Sequence, residues 1–181
     1  MSLSQGNPST FTIPRSNSGH RRSVLWRALA VGVAVGVGLP ALAASAQAAP
    51  RTVTGNVVFR IMDYENFGSN ERCNREVRLT PRAIEVGATT RIRVTAACGG
   101  EIRVEVTYAL QQQEGGFIRV TEGLVNFYEG ESSNTSDLDG SSAFGDMFLW
   151  PGQSGVRNIH VENWAEGEPD DKAEVALTLR N

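Results

Sequence analysis

The sequence contains few of the residues that build metal centres and nucleophilic active sites. It has two cysteines, Cys73 and Cys98, and two histidines, of which only His160 follows residue 48. A structural zinc site needs four ligands of this kind, and a nucleophilic cysteine needs a histidine partner. No G-x-S-x-G motif is present to position a nucleophilic serine. These shortages argue against such enzymes, and they leave open a hydrolase that uses carboxylates.

Only one long apolar run occurs, and it lies near the N-terminus. Residues 28–46 carry no charge, follow the basic cluster His20-Arg21-Arg22 and end at the small-residue tripeptide Ala46-Gln47-Ala48. This order is typical of a cleavable export signal. The run is rich in alanine and glycine and therefore weaker than a permanent membrane helix. The sequence predicts a signal over residues 1–48, a single domain over residues 49–181, and no stable membrane span after cleavage.

The export route and the cysteines are connected. The pair Arg21-Arg22 resembles a twin-arginine signal. The resemblance is partial, because such signals usually continue with residues other than Ser23 and Val24. General secretion and twin-arginine export both remain open. Either route delivers the protein outside the cytoplasm, as a secreted protein or to the periplasm or cell-envelope exterior. In such an oxidising compartment, two cysteines predict a Cys73–Cys98 disulfide.

Lysine is almost absent, with Lys172 the only one, so arginine carries nearly all the positive charge. Residues 49–181 have a net charge of −7, which argues against nucleic-acid binding, since such domains are basic. Residues 72–103 carry a net +4 and residues 104–181 a net −10. One interpretation is ordinary solvated strand faces. The other is an arginine-bearing face that binds an acidic partner or the acidic region of a second copy, which predicts self-association.

No segment after residue 48 has the periodicity of an amphipathic helix. Short runs alternate apolar and polar residues instead, as in residues 57–61, 102–110 and 173–180, and glycine, proline, asparagine or serine separates them. Eight or nine such runs are present. This pattern predicts an all-β fold, an antiparallel two-sheet β-sandwich of Ig-like or jelly-roll-like type. A small closed β-barrel is the alternative.

One hairpin can be predicted in detail, around the loop Cys98-Gly99-Gly100. Residues that pair across two strands lie on the same face of the sheet, so a core-facing residue must pair with another core-facing residue. Pairing Val94 with Val104 satisfies this condition. The same register places Arg93 opposite Glu105 as a favourable cross-strand ion pair. Glycine suits the loop because a three-residue turn requires positive φ.

The best candidate for a specific site is the acidic loop of residues 129–140. Alternating acids with a glycine are the oxygen-rich pattern that Ca²⁺ prefers, although Thr135 occupies a position that an EF-hand gives to an acid. A second acidic loop, residues 166–171, adds ligands if both lie at one end of the sandwich. The candidate calcium ligands are Glu129, Glu131, Asp137, Asp139, Asp170 and Asp171. A solvated turn explains the same composition.

Two tryptophans near strand ends form the second candidate site. Trp150 precedes Pro151-Gly152, and Trp164 follows Asn163. Tryptophan is amphipathic and common at binding surfaces, so these rings are candidates for stacking against a sugar. Packing at the edge of the core is the alternative.

Three functional hypotheses follow from the sequence. The first is a secreted, non-enzymatic interaction or ligand-binding module, with or without calcium dependence, whose partner is an extracellular protein or a glycan. The second is a small secreted hydrolase with a carboxylate or metal site. The third is a secreted inhibitor or toxin-like domain that presents a rigid loop. His160 is predicted to be a solvent-facing strand residue and not a catalytic base.

Overall fold

A computed structural model describes residues 49–65, 68–165 and 171–181. The predicted signal over residues 1–48 and the candidate ligand Asp170 lie outside the described residues. The strands are β1 (Arg51–Asp63), β2 (Glu71–Arg78), β3 (Arg82–Ile84), β4 (Thr89–Cys98), β5 (Ile102–Gln112), β6 (Ile118–Tyr128), β7 (Leu138–Phe144), β8 (Met147–Leu149), β9 (Ser154–Glu162) and β10 (Lys172–Arg180). Within the described residues, no helix is long and apolar enough to cross a membrane.

The strands form two antiparallel sheets, which confirms the predicted β-sandwich over the alternative barrel. The first sheet has the order β2-β1-β10-β9, and β3 extends the β2 edge by pairing with the start of β1. The second sheet has the order β4-β5-β6-β7, and β8 pairs with the start of β6 beyond β7. Each sheet therefore has one edge made of two short strands in line.

The alternating runs identified in the sequence are the inward faces of the strands. In β5 the buried row is Ile102, Val104, Val106, Tyr108 and Leu110. In β10 it is Ala173, Val175, Leu177 and Leu179. These rows belong to one hydrophobic core between the sheets, where burial of each aliphatic side chain stabilises the fold by about 1.5–3 kcal/mol.

The β4–β5 hairpin has the predicted faces but a different register. Val94 pairs with Val106, not with Val104, and Cys98 pairs with Ile102 inside the ladder. A shift of two residues keeps every inward residue inward, so periodicity alone does not distinguish the two registers. The loop moves on by one residue and contains Gly99 and Gly100, whose φ values of 64° and 100° are the predicted positive ones.

The predicted disulfide joins the two sheets at one edge. Cys73 in β2 and Cys98 at the end of β4 are bonded, with 5.6 Å between their Cα atoms. β2 and β4 are the edge strands of different sheets, so the bond fixes the separation of the sheets at this point. A disulfide is typical of proteins that fold in an oxidising environment.

Candidate functional site: a cleft between the two sheets

A cleft of about 300 Å³ opens between the sheets along the edge that carries the disulfide. It is lined by residues of β1 to β5 and of the β2–β3 connection: Val53, Val77, Arg78, Leu79, Thr80, Arg82, Ile92, Arg93, Val94, Thr95, Tyr108 and Leu110. Its volume is at the lower end of the range for small-molecule sites. We call this feature the inter-sheet cleft.

The cleft exists because the edge of the first sheet is interrupted. β2 ends at Arg78, and Pro81, which cannot donate to a ladder, precedes β3. Along this interruption the apolar side chains of Val77, Leu79 and Ile92 are only partly buried, although they pack against the core. The disulfide holds the two edges together at the opposite end of β2. The cleft is therefore lined by side chains of the core that stay partly exposed at the open edge between the two sheets.

Tyr108 is the one aromatic residue among those that line the cleft, and its hydroxyl is unusual. Its side chain is 2% exposed, and the hydroxyl has no hydrogen-bond partner among the described residues. Burial raises the pKa of Tyr108 above its ordinary value, which keeps the phenol neutral. An unpaired buried hydroxyl costs about 1–3 kcal/mol.

Replacing Tyr108 by phenylalanine should raise the free energy of unfolding by about 1 kcal/mol, because it removes an unpaired buried hydroxyl and keeps the ring. Urea denaturation measures the change. The control is Tyr128→Phe, since the Tyr128 hydroxyl accepts a hydrogen bond from Asn126 Nδ2 at 3.1 Å. That variant should lose up to about 1 kcal/mol. A loss of stability in both variants would show that the Tyr108 hydroxyl has a partner.

Three arginines stand at the mouth of the cleft. Arg78 and Arg82 are exposed, and neither forms an ion pair with any carboxylate in the described part of the chain. Arg93 pairs with Glu105, with 3.3 Å between Nε and Oε1. This is the ion pair predicted from the sequence, but the partners are diagonal neighbours, since Arg93 stands opposite Thr107. The cleft thus combines a basic rim with a lining of both apolar and polar groups.

Residues that flank the second acidic loop lie beside the first acidic loop at one end of the sandwich. The Trp164 amide donates to the Asp139 carbonyl at 2.8 Å, and the Asn163 amide donates to the Asp171 carbonyl at 2.8 Å. Asn163 Nδ2 also donates to Glu129 Oε2 at 2.9 Å.

Two of the described carboxylates of these loops accept hydrogen bonds from the backbone. Asp139 Oδ2 accepts from the Glu129 amide at 2.9 Å, and Asp171 Oδ1 accepts from the Tyr64 amide at 2.6 Å. Asp137 and Glu131 are exposed.

Ligand atoms do not converge at this end within the described residues. Among the described residues as a whole, the one close group of three potential metal ligands is Glu71 with Cys73 and Cys98, and the two sulfur atoms of this group form the disulfide. Sulfur atoms bonded to each other are not thiolate ligands. The calcium site, which includes Asp170, stays a prediction.

The two candidate tryptophans are separated by the length of β9. Trp150 precedes this strand and Trp164 follows it, and they are 52% and 64% exposed. A strand of this length spans roughly 25 Å, so the two rings do not form one stacking platform. Trp150 instead packs on Phe117, with ring centroids 4.9 Å apart. Sugar binding by either ring stays a prediction.

His160 lies on the outer face of the first sheet, as expected. Nδ1 is 2.7 Å from Glu174 Oε1 and Nε2 is 3.0 Å from Glu162 Oε2, so both ring nitrogens are engaged by carboxylates. The hydrogen bond to Glu162, followed by that to Glu174, raises the pKa of His160. The two carboxylates stabilise the protonated form of the imidazole. The arrangement does not orient a serine or threonine nucleophile.

The arginines of residues 72–103 do not form a single face. Arg72 and Arg78 alternate with the core-facing residues of β2, Arg82 lies on β3, and Arg91 and Arg93 lie on the outer face of the second sheet. Of these arginines, Arg78, Arg82 and Arg93 line the inter-sheet cleft. Tyr108, a polar residue of the inward β5 row, lines the cleft, but its neighbours across the edge depend on sheet order and are not predictable from the sequence.

Comparison with protein-family models, with curated proteins and with solved structures found no match to this chain.

Proposed function

We propose that this protein is an exported, non-enzymatic module that binds a small, largely apolar molecule in the inter-sheet cleft. The observation that carries the proposal is a cleft of about 300 Å³, open to solvent, in which Val77, Leu79 and Ile92 of the core are left partly exposed. An apolar ligand would remove Leu79, Val77 and Ile92 from water, and each such burial favours binding. The disulfide supports export, because such bonds persist in oxidising compartments.

A small hydrolase is the alternative from a different class. Its site would be the pair Asp63 and Asp171, because the Asp63 carboxyl has a raised pKa, which is a common property of general acids. Both residues are nearly inaccessible, at 5% and 2% exposure, so a substrate would not reach them in this conformation. The cleft, in contrast, is open to solvent. Ligand binding is therefore the function that the geometry supports best.

Filling the cleft should weaken ligand binding without unfolding the protein. The probe is N-phenylnaphthylamine, a neutral dye whose fluorescence rises in apolar sites. Leu79→Trp places a large ring in the mouth of the cleft and should weaken dye binding at least tenfold, because it occupies the apolar volume that the dye needs. Fluorescence titration measures the affinity, and circular dichroism checks the fold.

The matched control is Val156→Trp. Val156 lies on β9, outside the cleft, and is 50% exposed, so a tryptophan there adds the same ring without filling the cleft. This variant should bind the dye as the wild type does. Failure of the wild-type protein to bind the dye, or equal binding by all three proteins, would refute the proposed function.

A further inference from the structure

We infer that the inter-sheet cleft selects amphipathic molecules with a carboxylate head group, held by Arg78 and Arg82 at its mouth. The inference rests on the proposed function and specifies its ligand class. A cleft with only apolar walls would accept neutral hydrocarbons and alcohols. The basic rim adds a preference for one charge, because a carboxylate at the mouth can accept charge-assisted hydrogen bonds from guanidinium groups.

The position of the two arginines supports this preference. Arg78 ends β2, Arg82 begins β3, and the apolar Leu79 lies between them on the cleft wall. Arg78 and Arg82 both line the cleft beside Leu79, so an apolar body packed on Leu79 would have two arginines within the lining of the same cleft. Both side chains are exposed and unpaired with any described carboxylate, so a ligand would not have to displace an existing ion pair.

Arg93 plays a smaller part. It already pairs with Glu105, whose side chain is only 9% exposed. Releasing Arg93 would leave a buried carboxylate without its partner, which is costly. This arginine supplies positive potential at the rim but is not expected to move to the ligand.

The overall charge of the domain makes the local effect testable. Residues 49–181 carry a net −7, so the molecule as a whole repels anions. At physiological salt, charges more than about 8 Å apart are largely screened. A preference for an anionic ligand must therefore come from the arginines at the mouth and not from the field of the whole domain.

The experiment displaces the bound dye with octanoate and with octanol, which share the same chain length. The wild-type protein should bind octanoate more tightly than octanol. In the double variant Arg78→Gln/Arg82→Gln, octanoate affinity should fall about tenfold while octanol affinity stays within about twofold. Acetate at the same concentrations should not displace the dye, because it lacks the apolar body.

The control is Arg60→Gln/Arg72→Gln, which removes the same charge. Arg60 and Arg72 are exposed residues of the same sheet, and Arg72 lies near the disulfide, about 20 Å along β2 from Arg78. This variant should keep the octanoate preference.

Equal binding of octanoate and octanol by the wild type, displacement by acetate, or an equal loss in the control would overturn the inference. In each of these cases dye binding survives, and so does the proposed function. If the wild-type protein does not bind the dye, the proposed function itself fails.

Discussion

Replacing Cys73 and Cys98 together by alanine should lower the free energy of unfolding by about 3.5 kcal/mol. The disulfide closes a loop of 25 residues, and the chain-entropy estimate for a loop of that length gives this value. A domain of this size has a total stability of about 5–15 kcal/mol, so the loss is a large fraction of it. We expect the melting temperature to fall by roughly 10 °C.

The position of the bond explains why this edge of the fold depends on it. β2 and β4 are edge strands of different sheets and are not hydrogen-bonded to each other. Beyond the bond their side chains diverge to form the cleft. Without the crosslink, only side-chain packing holds β2 and β4 together, because backbone hydrogen bonds join strands within a sheet and not between the two sheets.

Urea denaturation of the oxidised and reduced wild type and of the double variant measures the effect. Reduced wild type should match the variant within about 1 kcal/mol, because both lack the crosslink and differ only in two thiols. That comparison separates the crosslink from the loss of side-chain volume. A double variant as stable as the oxidised wild type would contradict the entropic role of the bond.

The sequence was sufficient to predict which side chains point inward. Alternation in residues 102–110 and 173–180 is a local property of extended chain, and the structure confirms both rows. It was not sufficient to fix the register of the β4–β5 hairpin. Pairing Val94 with Val104 or with Val106 satisfies the same alternation, and the choice depends on Cys98 staying in the ladder to reach Cys73.

The candidate site required information that no local pattern contains. The cleft forms where β2 and β4, which are not consecutive in the chain, face each other from different sheets. Carboxylates and tryptophans were singled out because their chemistry is visible residue by residue. The cleft wall is made of Val77, Leu79 and Ile92, which by composition are ordinary core residues. Only their partial exposure distinguishes them.

The stability of the protein should fall as the pH rises from about 4 to 6, and Asp63 is the residue responsible. Asp63 ends β1 and is 5% exposed. Burial, and then the negative charges of nearby carboxylates with Asp171 foremost, raise the pKa of Asp63 to about 6. In the unfolded chain the pKa of an aspartate is about 3.9. Between these values the folded protein binds more protons than the unfolded chain, so increasing pH favours unfolding.

The size of the effect follows from the difference in pKa. One pKa unit corresponds to 1.36 kcal/mol, so ionising Asp63 costs the folded state on the order of 2–3 kcal/mol at pH 7. The raised pKa of His160 acts in the same direction but in a different interval. Its stabilisation is complete below the unfolded histidine value of about 6.5 and is lost as the pH rises through the higher folded value. The interval from pH 4 to 6 therefore isolates Asp63.

Asp63→Asn should raise the free energy of unfolding at pH 7 by about 2 kcal/mol and flatten the profile between pH 4 and 6. Asparagine has nearly the same shape and cannot ionise, so the charge is the only large change. Asp137→Asn is the control, because it removes one negative charge from an exposed loop residue and should leave the profile unchanged. Urea denaturation at intervals of half a pH unit measures all three proteins. A variant that keeps the wild-type slope would mean that Asp63 is not the group that titrates. A variant less stable at pH 7 would mean that the ionised carboxylate accepts hydrogen bonds that stabilise the fold, and that its pKa is not raised.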